Sequence, residues 1–294
     1  MDFLKESLRH ACGAPPPFDK GGLYGQYITL LQKWQLLKKA GCDIISNINW
    51  VGGVFLQKVV LVTGGSRGIG KAICEKFAAE GYSVAVNYEK SEEQAKTLAE
   101  KIGGKAFCAD VSDYNAVCGM FDEIEREMGE VSILINNAGI STFGLFQDCT
   151  DEEWERIFRV NVKGVFNCSK RALGNMIKNK SGSIVNISSI WGVTGGSCEC
   201  HYSATKAAVI GYTKAMAKEF GPSGIRVNCV APGAVETEMN ARFSREDMEA
   251  VAEESALGYI GKPEEIAEAV FFAASEKASY MTGAVLNING GFVI

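Results

Sequence analysis

Histidine is nearly absent from this 294-residue sequence, which contains only His10 and His201. Its ten cysteines include no pair in the Cys-x-x-Cys spacing that zinc sites commonly use. Cys198 and Cys200 are separated by a single residue, and we interpret them as small side chains of a loop. We therefore expect no metal site in this protein.

The sequence also lacks an excess of basic residues and a long apolar run. Its net charge is −5, from 30 basic and 35 acidic residues, which argues against broad contact with nucleic acid. The apolar stretch 44–56 is too short to cross a bilayer. Charged residues interrupt the N-terminus, where a signal peptide needs an apolar segment. We expect a cytoplasmic protein with reduced thiols and with neither a nucleic-acid nor a membrane partner.

The sequence does contain a regular alternation of short apolar strands with helices from Lys58 onward. Strands are predicted at 59–63, 83–88, 106–108, 131–135, 183–188, 226–230 and 284–288. Helices are predicted at 71–80, 92–102, 114–128, 152–179, 202–220, 245–256 and 263–274. This alternation predicts an α/β fold, a Rossmann-type doubly wound parallel sheet of about seven strands.

Residues 1–55 differ in pattern from the rest of the chain. Three consecutive prolines, Pro15 to Pro17, predict irregular structure, while residues 26–40 have helical periodicity. We interpret this segment as an N-terminal extension that is partly helical or disordered, and residues 56–294 as a single domain. A helix that docks on a partner, or a start codon placed too early, are the alternatives for the extension.

A glycine-rich turn, Thr63-Gly64-Gly65-Ser66-Arg67-Gly68-Ile69-Gly70, directly follows the first strand. Such a turn at the start of a helix presents backbone N–H groups and the positive end of the helix dipole to a pyrophosphate. The spacing Gly-x-x-x-Gly-x-Gly differs from the commonest dinucleotide fingerprint, and the segment could be only a tight turn. Its position after an apolar strand favours phosphate binding.

The end of the second strand carries the signal for the choice of dinucleotide. A carboxylate there binds the ribose diol of NAD(H) and repels the 2′-phosphate of NADP(H). This sequence has Asn87 and Tyr88 at that place, and its first carboxylate is Glu89. Arg67 in the glycine-rich turn could pair with the 2′-phosphate. We therefore favour NADP(H) over NAD(H), although a Glu89 carboxylate that points into the site would favour NAD(H).

Polar residues also follow later strands and interrupt one helix. Asp110 could accept a hydrogen bond from an adenine amino group or cap the next helix. The segments Asn136–Gly139 and Pro232–Thr237 could offer polar groups to a cofactor or form tight turns. Asn161 lies within a predicted helix, where asparagine is a poor helix former. It could hold a water molecule or bend the helix.

Tyr202 and Lys206 are one helical turn apart, so their side chains share a helix face. A free phenol has a pKa near ~10, and an adjacent ammonium lowers it because it stabilises the phenolate. A tyrosine tuned in this way can exchange a proton with an alcohol or a developing alkoxide. Ser189, after the fifth strand, could hydrogen-bond the same oxygen. An isolated Tyr–Lys pair is more often a packing contact, and it is the surrounding motifs that favour carbonyl–alcohol chemistry.

In their order and spacing these motifs resemble the short-chain dehydrogenase/reductase family over about residues 56–294. The resemblance implies a dinucleotide-binding catalytic domain whose tetrad contains Asn161, Ser189, Tyr202 and Lys206. It implies that Tyr202 is the general acid/base and that Lys206 lowers its pKa and holds the nicotinamide ribose. Ser189 would polarise the carbonyl, and Asn161 would anchor a water of a proton relay. Besides Tyr202 and Lys206, the implied cofactor contacts are Gly64, Ser66, Arg67, Gly68, Ile69, Gly70, Tyr88, Asp110, Val111, Asn137, Ala138, Gly139, Pro232, Gly233, Val235 and Thr237.

Within the family, the segments Gly211–Gly233, Val235–Met239 and Asn287–Gly291 look most like 3-oxoacyl-acyl-carrier-protein reductases. These enzymes reduce 3-oxoacyl thioesters with NADPH in fatty acid biosynthesis, usually as homotetramers. Of two basic positions that meet the acidic carrier protein, this sequence keeps Lys180 and has Ser223 at the other.

The substrate therefore stays open between small molecules and acyl groups on a carrier protein or CoA. A dehydrogenase for a hydroxysteroid or a small polyol is the alternative enzyme. A cofactor-binding regulator without catalysis is the alternative from another class, although such a protein does not need Tyr202 and Lys206 together. We expect residues 240–260 to cover the substrate and His201 to touch it.

Overall fold

The computed structural model describes residues 48–51, 54–240 and 243–293. The chain divides into two units between Phe55 and Leu56. Strands β1 (Ile48–Val51) and β2 (Val54–Gln57) pair in a two-stranded sheet. The prolines and the helix expected at 26–40 lie outside the described residues, so those expectations stay predictions.

The main sheet contains seven strands and is parallel throughout. The strands are β3 (Val59–Val62), β4 (Ser83–Tyr88), β5 (Lys105–Cys108), β6 (Val131–Asn136), β7 (Gly182–Ile187), β8 (Ile225–Pro232) and β9 (Val285–Ile288). Their order across the sheet is β5-β4-β3-β6-β7-β8-β9, and every neighbouring pair is parallel. The predicted doubly wound sheet is thus confirmed.

Helices connect these strands. They are α1 (Gly68–Ala79), α2 (Glu92–Ile102), α3 (Tyr114–Glu127), α4 (Asp151–Phe158), α5 (Gly164–Asn179), α6 (Ile190–Thr194), α7 (Cys200–Phe220), α8 (Arg245–Glu254) and α9 (Pro263–Ala274). Most bounds lie within one or two residues of the predicted ones. Within the described ranges, none of the helices combines the length and the apolar character that a membrane span requires.

The two faces of the sheet carry separate hydrophobic clusters. Along β3, Val60 and Val62 belong to one cluster, while Val59 and Leu61 belong to the other. Helices α1, α2 and α9 pack on the first face, and α3, α5 and α7 pack on the second. A strand covered on both faces is apolar at every position, which explains the continuous valine–leucine run of β3.

The long helix expected at 152–179 is interrupted in the structure. Helix α4 ends at Phe158, the segment Arg159–Lys163 is a π-helical turn, and α5 begins at Gly164. A π-turn shifts the side chains that follow it around the helix axis and is frequent at functional sites. Asn161 lies within this turn, at the point where the regular α-helix is interrupted.

Candidate active site

Two loops meet at the carboxyl ends of β3 and β6, where the strand order reverses. In open α/β sheets this switch point is the place of the ligand crevice. The Thr63 hydroxyl oxygen accepts hydrogen bonds from the Asn137 and Ala138 N–H groups, at 3.0 Å each. The Asn137 side chain donates to the carbonyl oxygens of Thr63 and Gly64 at 2.9 and 3.0 Å. The two loops therefore form one hydrogen-bonded unit at the crevice.

The glycine-rich turn is built for close backbone approach. Gly64 and Gly68 have φ values of +60° and +51°, a region that favours glycine. A Cβ atom at Gly64 would lie 3.0 Å from the Cα atom of Ala138, and one at Gly70 would overlap the carbonyl oxygen of Gly64. Larger residues at these positions would push the turn away from the β6 loop.

The N-terminus of α1 is open to an anion. Its N-cap residue, Arg67, makes no side-chain capping bond, and the first turn contains no acidic residue. The neighbouring helices α2 and α4 both carry acidic residues in the first turn. The first N–H groups of a helix need a partner, and the helix dipole favours a negative one. The turn thus fits the pyrophosphate of a dinucleotide.

The Asn87 side chain is hydrogen-bonded to the backbone of the glycine-rich turn. It is 2% exposed, accepts from the Gly64 N–H at 3.1 Å and donates to the Ala109 carbonyl at 3.1 Å. Sequence reasoning noted Asn87 only as a missing carboxylate and overlooked this contact. A polar residue that ends a buried strand must find hydrogen-bond partners, and that was the available signal. Its neighbour Tyr88 is buried in the hydrophobic cluster of the first face.

Charged residues near the turn are paired on the surface. The Arg67 guanidinium lies 3.0 Å from the carboxylate of Glu238, and both side chains are more than 60% exposed. Glu89 is 3.5 Å from the Lys90 ammonium. An exposed ion pair contributes little stability, so a stronger anion can replace Glu238 at Arg67.

Asp110 does not cap the helix that follows it, so that alternative is wrong. Its carboxylate accepts hydrogen bonds from the N–H and the hydroxyl of Ser112, at 2.8 and 2.9 Å. Asp113 is the cap of α3 because it lies directly before the first helical residue and accepts from two N–H groups of the first turn. The Val111 carbonyl accepts from the Asn167 side chain at 2.8 Å. Contacts of Asp110 and Val111 with an adenine stay predictions.

The segment after β8 crosses to the glycine-rich turn. Gly233 donates to the Ile288 carbonyl at 2.9 Å, which holds the Pro232–Gly233 corner on β9. Val235 forms a bridge with Gly261. A Cβ atom at Gly68 would lie 3.3 Å from the methyl group of Thr237. Thr237 therefore lies next to the turn, while the contacts of Pro232, Gly233 and Val235 with a cofactor stay predictions.

Tyr202 and Lys206 lie in the first two turns of α7. The Lys206 ammonium is 5.5 Å from the centre of the Tyr202 ring and donates to the Ile187 carbonyl at 2.9 Å. Lys206 is 5% exposed, and this burial lowers its pKa from 10.5 to about 8. The ammonium is still the main form at pH 7, where its charge favours the phenolate form of a neighbouring tyrosine.

Ser188 and Ser189, which follow β7, make different hydrogen bonds. The Ser189 hydroxyl oxygen accepts from the Trp191 N–H at 3.2 Å and so caps α6, which leaves its proton for another acceptor. The Ser188 hydroxyl donates to the Lys206 carbonyl at 2.8 Å. A Cβ atom at Gly192 would lie 2.6 Å from that carbonyl carbon. Ser188 and Gly192, both overlooked in the sequence, thus hold α6 against α7.

Asn161 joins the β6 loop to α7 through hydrogen bonds. Its side chain is 1% exposed and exchanges two hydrogen bonds of 2.9 Å with the backbone of Ile140. It also donates to the Thr205 hydroxyl at 3.1 Å, which in turn donates to the Tyr202 carbonyl at 2.7 Å. The side-chain donors are therefore used within the protein. A water held by Asn161 would be held at its main-chain carbonyl.

Gly139 completes the site between these groups. A Cβ atom there would lie 3.4 Å from both the Asn161 side-chain oxygen and the Lys206 ammonium nitrogen. The structure thus brings together Gly139, Asn161, Tyr202 and Lys206, and joins Ser189 to them through α6. Among the described residues, no group of three or more histidine, cysteine, aspartate or glutamate side chains could hold a metal ion.

Aromatic side chains surround His201, the residue before Tyr202. His201 is 7% exposed and lies between the rings of Phe146 and Trp154, with ring centres 5.8 Å away in each case. Its main contact is therefore with these rings, and the expectation that it touches substrate stays a prediction. Residues 240–260 include helix α8, and their cover over a substrate also stays a prediction.

Comparison with known proteins identifies relatives over most of the chain. The model of a family described as enoyl-(acyl carrier protein) reductase matches residues 64–293. A 3-oxoacyl-(acyl-carrier-protein) reductase FabG of Staphylococcus aureus (strain Mu50) is 42% identical over 241 residues, which cover 80% of this chain and 98% of that protein. The FabG of Aquifex aeolicus (strain VF5) is 43% identical, with coverage of 80% and 96%. The uncharacterized oxidoreductase YmfI of Bacillus subtilis (strain 168) is 40% identical, with coverage of 81% and 99%.

Proposed function

Because the chain belongs to the short-chain dehydrogenase/reductase family, and is thus an oxidoreductase that interconverts C=O and CH–OH, we propose that it reduces 3-oxoacyl thioesters to 3-hydroxyacyl thioesters with NADPH. The observation that carries this proposal is the Tyr202–Lys206 pair beside Ser189, at the mouth of a dinucleotide crevice. These groups are suited to protonate an oxygen rather than a carbon. The FabG relatives support the choice of a 3-oxoacyl substrate.

In this proposal, a nicotinamide cofactor bound in the crevice would supply the hydride for the carbonyl carbon. The Ser189 hydroxyl donates a hydrogen bond to the carbonyl oxygen and so withdraws electron density from the carbon. The Tyr202 hydroxyl gives its proton to the same oxygen as negative charge develops there, which yields the alcohol. The hydride and this proton together account for the two hydrogens that are added.

Lys206 is the electrostatic partner of Tyr202. Its buried ammonium donates one hydrogen bond to the Ile187 carbonyl. The remaining ammonium protons can face the tyrosine oxygen and a ribose hydroxyl. The positive charge stabilises the phenolate that is left after proton transfer. We assign the water of the proton relay to the main-chain carbonyl of Asn161, since the side chain is bonded to Ile140 and Thr205.

The cofactor assignment rests on the α1 N-terminus and Arg67. The pyrophosphate would lie against the N–H groups of the first α1 turn, next to Ser66, Gly68, Ile69 and Gly70. Arg67 would exchange Glu238 for the 2′-phosphate, a doubly charged and therefore stronger partner. The side chain of Asn87, which ends near the usual ribose-binding position, is occupied with the turn, and this also supports NADPH over NADH.

For the acyl carrier we propose a carrier protein or CoA, with fatty acid biosynthesis in the cytoplasm as the setting. Lys180 ends α5 in the left-handed conformation, with φ of 48°. A Cβ atom at Gly224 would overlap the Lys180 carbonyl oxygen, so the Lys180 and Ser223 positions are neighbours. Lys180 can attract an acidic carrier or a CoA phosphate, and Ser223 adds no charge to it.

We also propose that the protein assembles as a homotetramer. An apolar groove runs between α4, the π-turn, α5 and α7. It is lined by Phe158, Val162, Val165, Phe166, Val209 and Tyr212, among others. Phe166 is 45% exposed here, which an apolar contact with a second copy would relieve.

A substrate panel tests the proposed activity. The purified full chain is mixed with NADPH or NADH and with acetoacetyl-CoA, crotonyl-CoA, a ketosteroid or a small ketose. We expect NADPH oxidation with acetoacetyl-CoA and little with the others. Reduction of only the ketosteroid or the ketose would favour the alternative dehydrogenase. Tight NADPH binding without turnover of any substrate would favour a regulator.

A further inference from the structure

Several large apolar side chains are exposed on the segments that follow β6 and β8. Phe143 and Phe146 are 55% and 66% exposed on the loop after β6, and Met239 is 45% exposed on the segment after β8. Large exposed apolar groups on a soluble protein mark a surface that binds something apolar. Leu145, Val193 and Leu257 are further exposed apolar residues.

Phe143 is held between two anchors that belong to the catalytic site. On one side, Ile140 is hydrogen-bonded through both its backbone groups to Asn161. On the other side, the Gly144 N–H donates to the Cys198 carbonyl at 2.9 Å, four residues before Tyr202. The loop that carries Phe143 therefore spans the tetrad from Asn161 to the start of α7.

Phe243 faces Phe143 from the segment that follows β8, the segment that also contains Thr237. Its N–H donates to the Asn240 carbonyl at 3.0 Å, and the Asn240 side chain donates to the Val235 carbonyl at 2.8 Å. The rings of Phe143 and Phe243 meet edge to face, with centres 5.5 Å apart and planes at 88°. This ring pair joins the tetrad loop to the segment that borders the glycine-rich turn.

We propose that the Phe143–Phe243 pair binds the alkyl chain of the substrate and gives the enzyme a preference for acyl groups longer than four carbons. The inference rests on the proposed reduction of 3-oxoacyl thioesters. The alkyl chain starts one carbon beyond the reacting carbonyl, so it must leave the tetrad along one of its walls. The other arm of a carrier-bound substrate contains amides, which need hydrogen-bond partners that phenylalanine rings do not offer. The apolar wall therefore suits the alkyl arm.

The expected size of the preference follows from apolar burial. A fully buried methylene contributes about 0.8 kcal/mol, which corresponds to roughly a fourfold change in kcat/KM. Since the rings are partly exposed, the alkyl chain stays partly solvated and the gain per methylene is smaller. We expect kcat/KM to rise roughly tenfold or more from the four-carbon to the eight-carbon substrate.

The test measures kcat/KM of the full chain with 3-oxoacyl-CoA substrates of four, six and eight carbons. Phe143→Ala and Phe243→Ala should each lower kcat/KM about tenfold for eight carbons and at most about twofold for four carbons, because only the longer chain reaches the rings. Phe143→Leu, which keeps an apolar contact, should retain most of the preference. Phe272→Ala is the matched control, since Phe272 is a 45% exposed ring on α9 and should change neither value.

Three results would overturn the inference. The first is a wild-type kcat/KM that does not change with chain length. The second is an equal loss of kcat/KM for all chain lengths in the two alanine variants. The third is the same loss of kcat/KM in Phe272→Ala. Each of these leaves 3-oxoacyl reduction in place. Absence of turnover with every 3-oxoacyl-CoA would instead remove the proposed function, and the inference with it.

Discussion

At the residue scale, Lys206 shows how burial changes the pKa of a proposed catalytic residue. The side chain is desolvated at the crevice, and its ammonium donates a hydrogen bond to the Ile187 carbonyl, which is neutral. Desolvation disfavours the ammonium and lowers its pKa to about 8. The same burial places the charge in a medium of low dielectric constant, where its effect on Tyr202 is stronger than in water.

This pKa predicts the pH dependence of the reaction. As pH rises through about 8, Lys206 loses its proton and Tyr202 loses the charge that stabilises its phenolate. The rate of ketone reduction at saturating cofactor should therefore fall above about pH 8. Stability changes in the opposite direction. Between the folded-state pKa of about 8 and the unfolded-state pKa of 10.5, the unfolded chain binds more protons than the folded chain, so the free energy of unfolding increases as pH rises. A pH–rate profile that stays flat to pH 10 would contradict this role of Lys206.

The Arg67–Glu238 pair predicts how cofactor choice responds to mutation. Arg67→Ala should weaken NADPH binding far more than NADH binding, because only NADPH has a 2′-phosphate. Glu238→Gln should strengthen NADPH binding by roughly twofold to fivefold, since an exposed ion pair costs up to about 1 kcal/mol to break. Fluorescence titration of both cofactors measures these changes.

Glu89→Gln is the control for this prediction, and it should leave both affinities unchanged. An equal loss of both cofactors in Arg67→Ala would remove the basis for NADPH. A selective loss of NADH binding in Glu89→Gln would favour NAD(H) instead.

At the element scale, the contacts of a helix decide what a glycine does. Gly70 in α1 and Gly211 in α7 are both helical. A Cβ atom at Gly70 would overlap the Gly64 carbonyl, whereas one at Gly211 would meet no atom within 4 Å. Gly70→Ala should therefore displace the glycine-rich turn and weaken NADPH binding at least tenfold. Gly211→Ala should leave binding unchanged and raise the free energy of unfolding by about 0.5–1 kcal/mol.

Thermal unfolding together with NADPH titration of the two variants checks this prediction. Equal behaviour of Gly70→Ala and Gly211→Ala, in either direction, would mean that the packing of α1 against the β6 loop does not shape the cofactor site.

Elements with strong periodicity could be predicted from the sequence, while their interruptions could not. The strand Ser83–Tyr88 and the helices Glu92–Ile102 and Pro263–Ala274 have the predicted bounds, because apolar runs and a proline mark their ends. The π-turn at Asn161 was expected only as a bend. Its hydrogen bonds to Ile140 and Thr205 join residues that are 21 and 44 positions away, and local patterns do not encode such distances.

The candidate site shows the same division. Tyr202, Lys206 and the glycine-rich turn have spacings that a helix or a turn explains locally. Asn87, Ser188 and Gly192 act on groups that other strands or helices bring to them, so their roles became visible only in the folded chain. The capping of α3 by Asp113 rather than Asp110 depended on where the helix begins.

At the scale of the whole molecule, one domain carries every part of the proposed site. The family match covers residues 64–293, and we propose residues 56–294 as the catalytic domain. The turn after β3, the loops after β6 and β7, and the segment after β8 all lie at the carboxyl end of the sheet. Parallel strands make this convergence unavoidable, since every strand ends at the same edge.

The apolar groove beside the π-turn predicts an assembly that one charge can disrupt. Phe166→Glu should reduce the molar mass in solution from that of a tetramer toward that of a smaller species, because it replaces an apolar contact by a charge that burial desolvates. Light scattering of the full chain measures the mass. Lys178→Glu, at the other end of the same helix and 73% exposed, is the control and should keep the tetramer. A wild-type monomer, or a Phe166→Glu tetramer, would contradict the proposed interface.

The central claim is that Tyr202 delivers the proton in a hydride-transfer reaction on a 3-oxoacyl thioester. It is tested most directly by Tyr202→Phe, which removes one hydroxyl group and keeps the ring beside Lys206. NADPH oxidation with acetoacetyl-CoA is measured together with the Kd for NADPH. In Tyr202→Phe, turnover should fall roughly 10³-fold or more, at the level expected for a lost general acid. The Kd for NADPH should stay within about threefold of wild type. Turnover within tenfold of wild type, with unchanged NADPH binding, would contradict it.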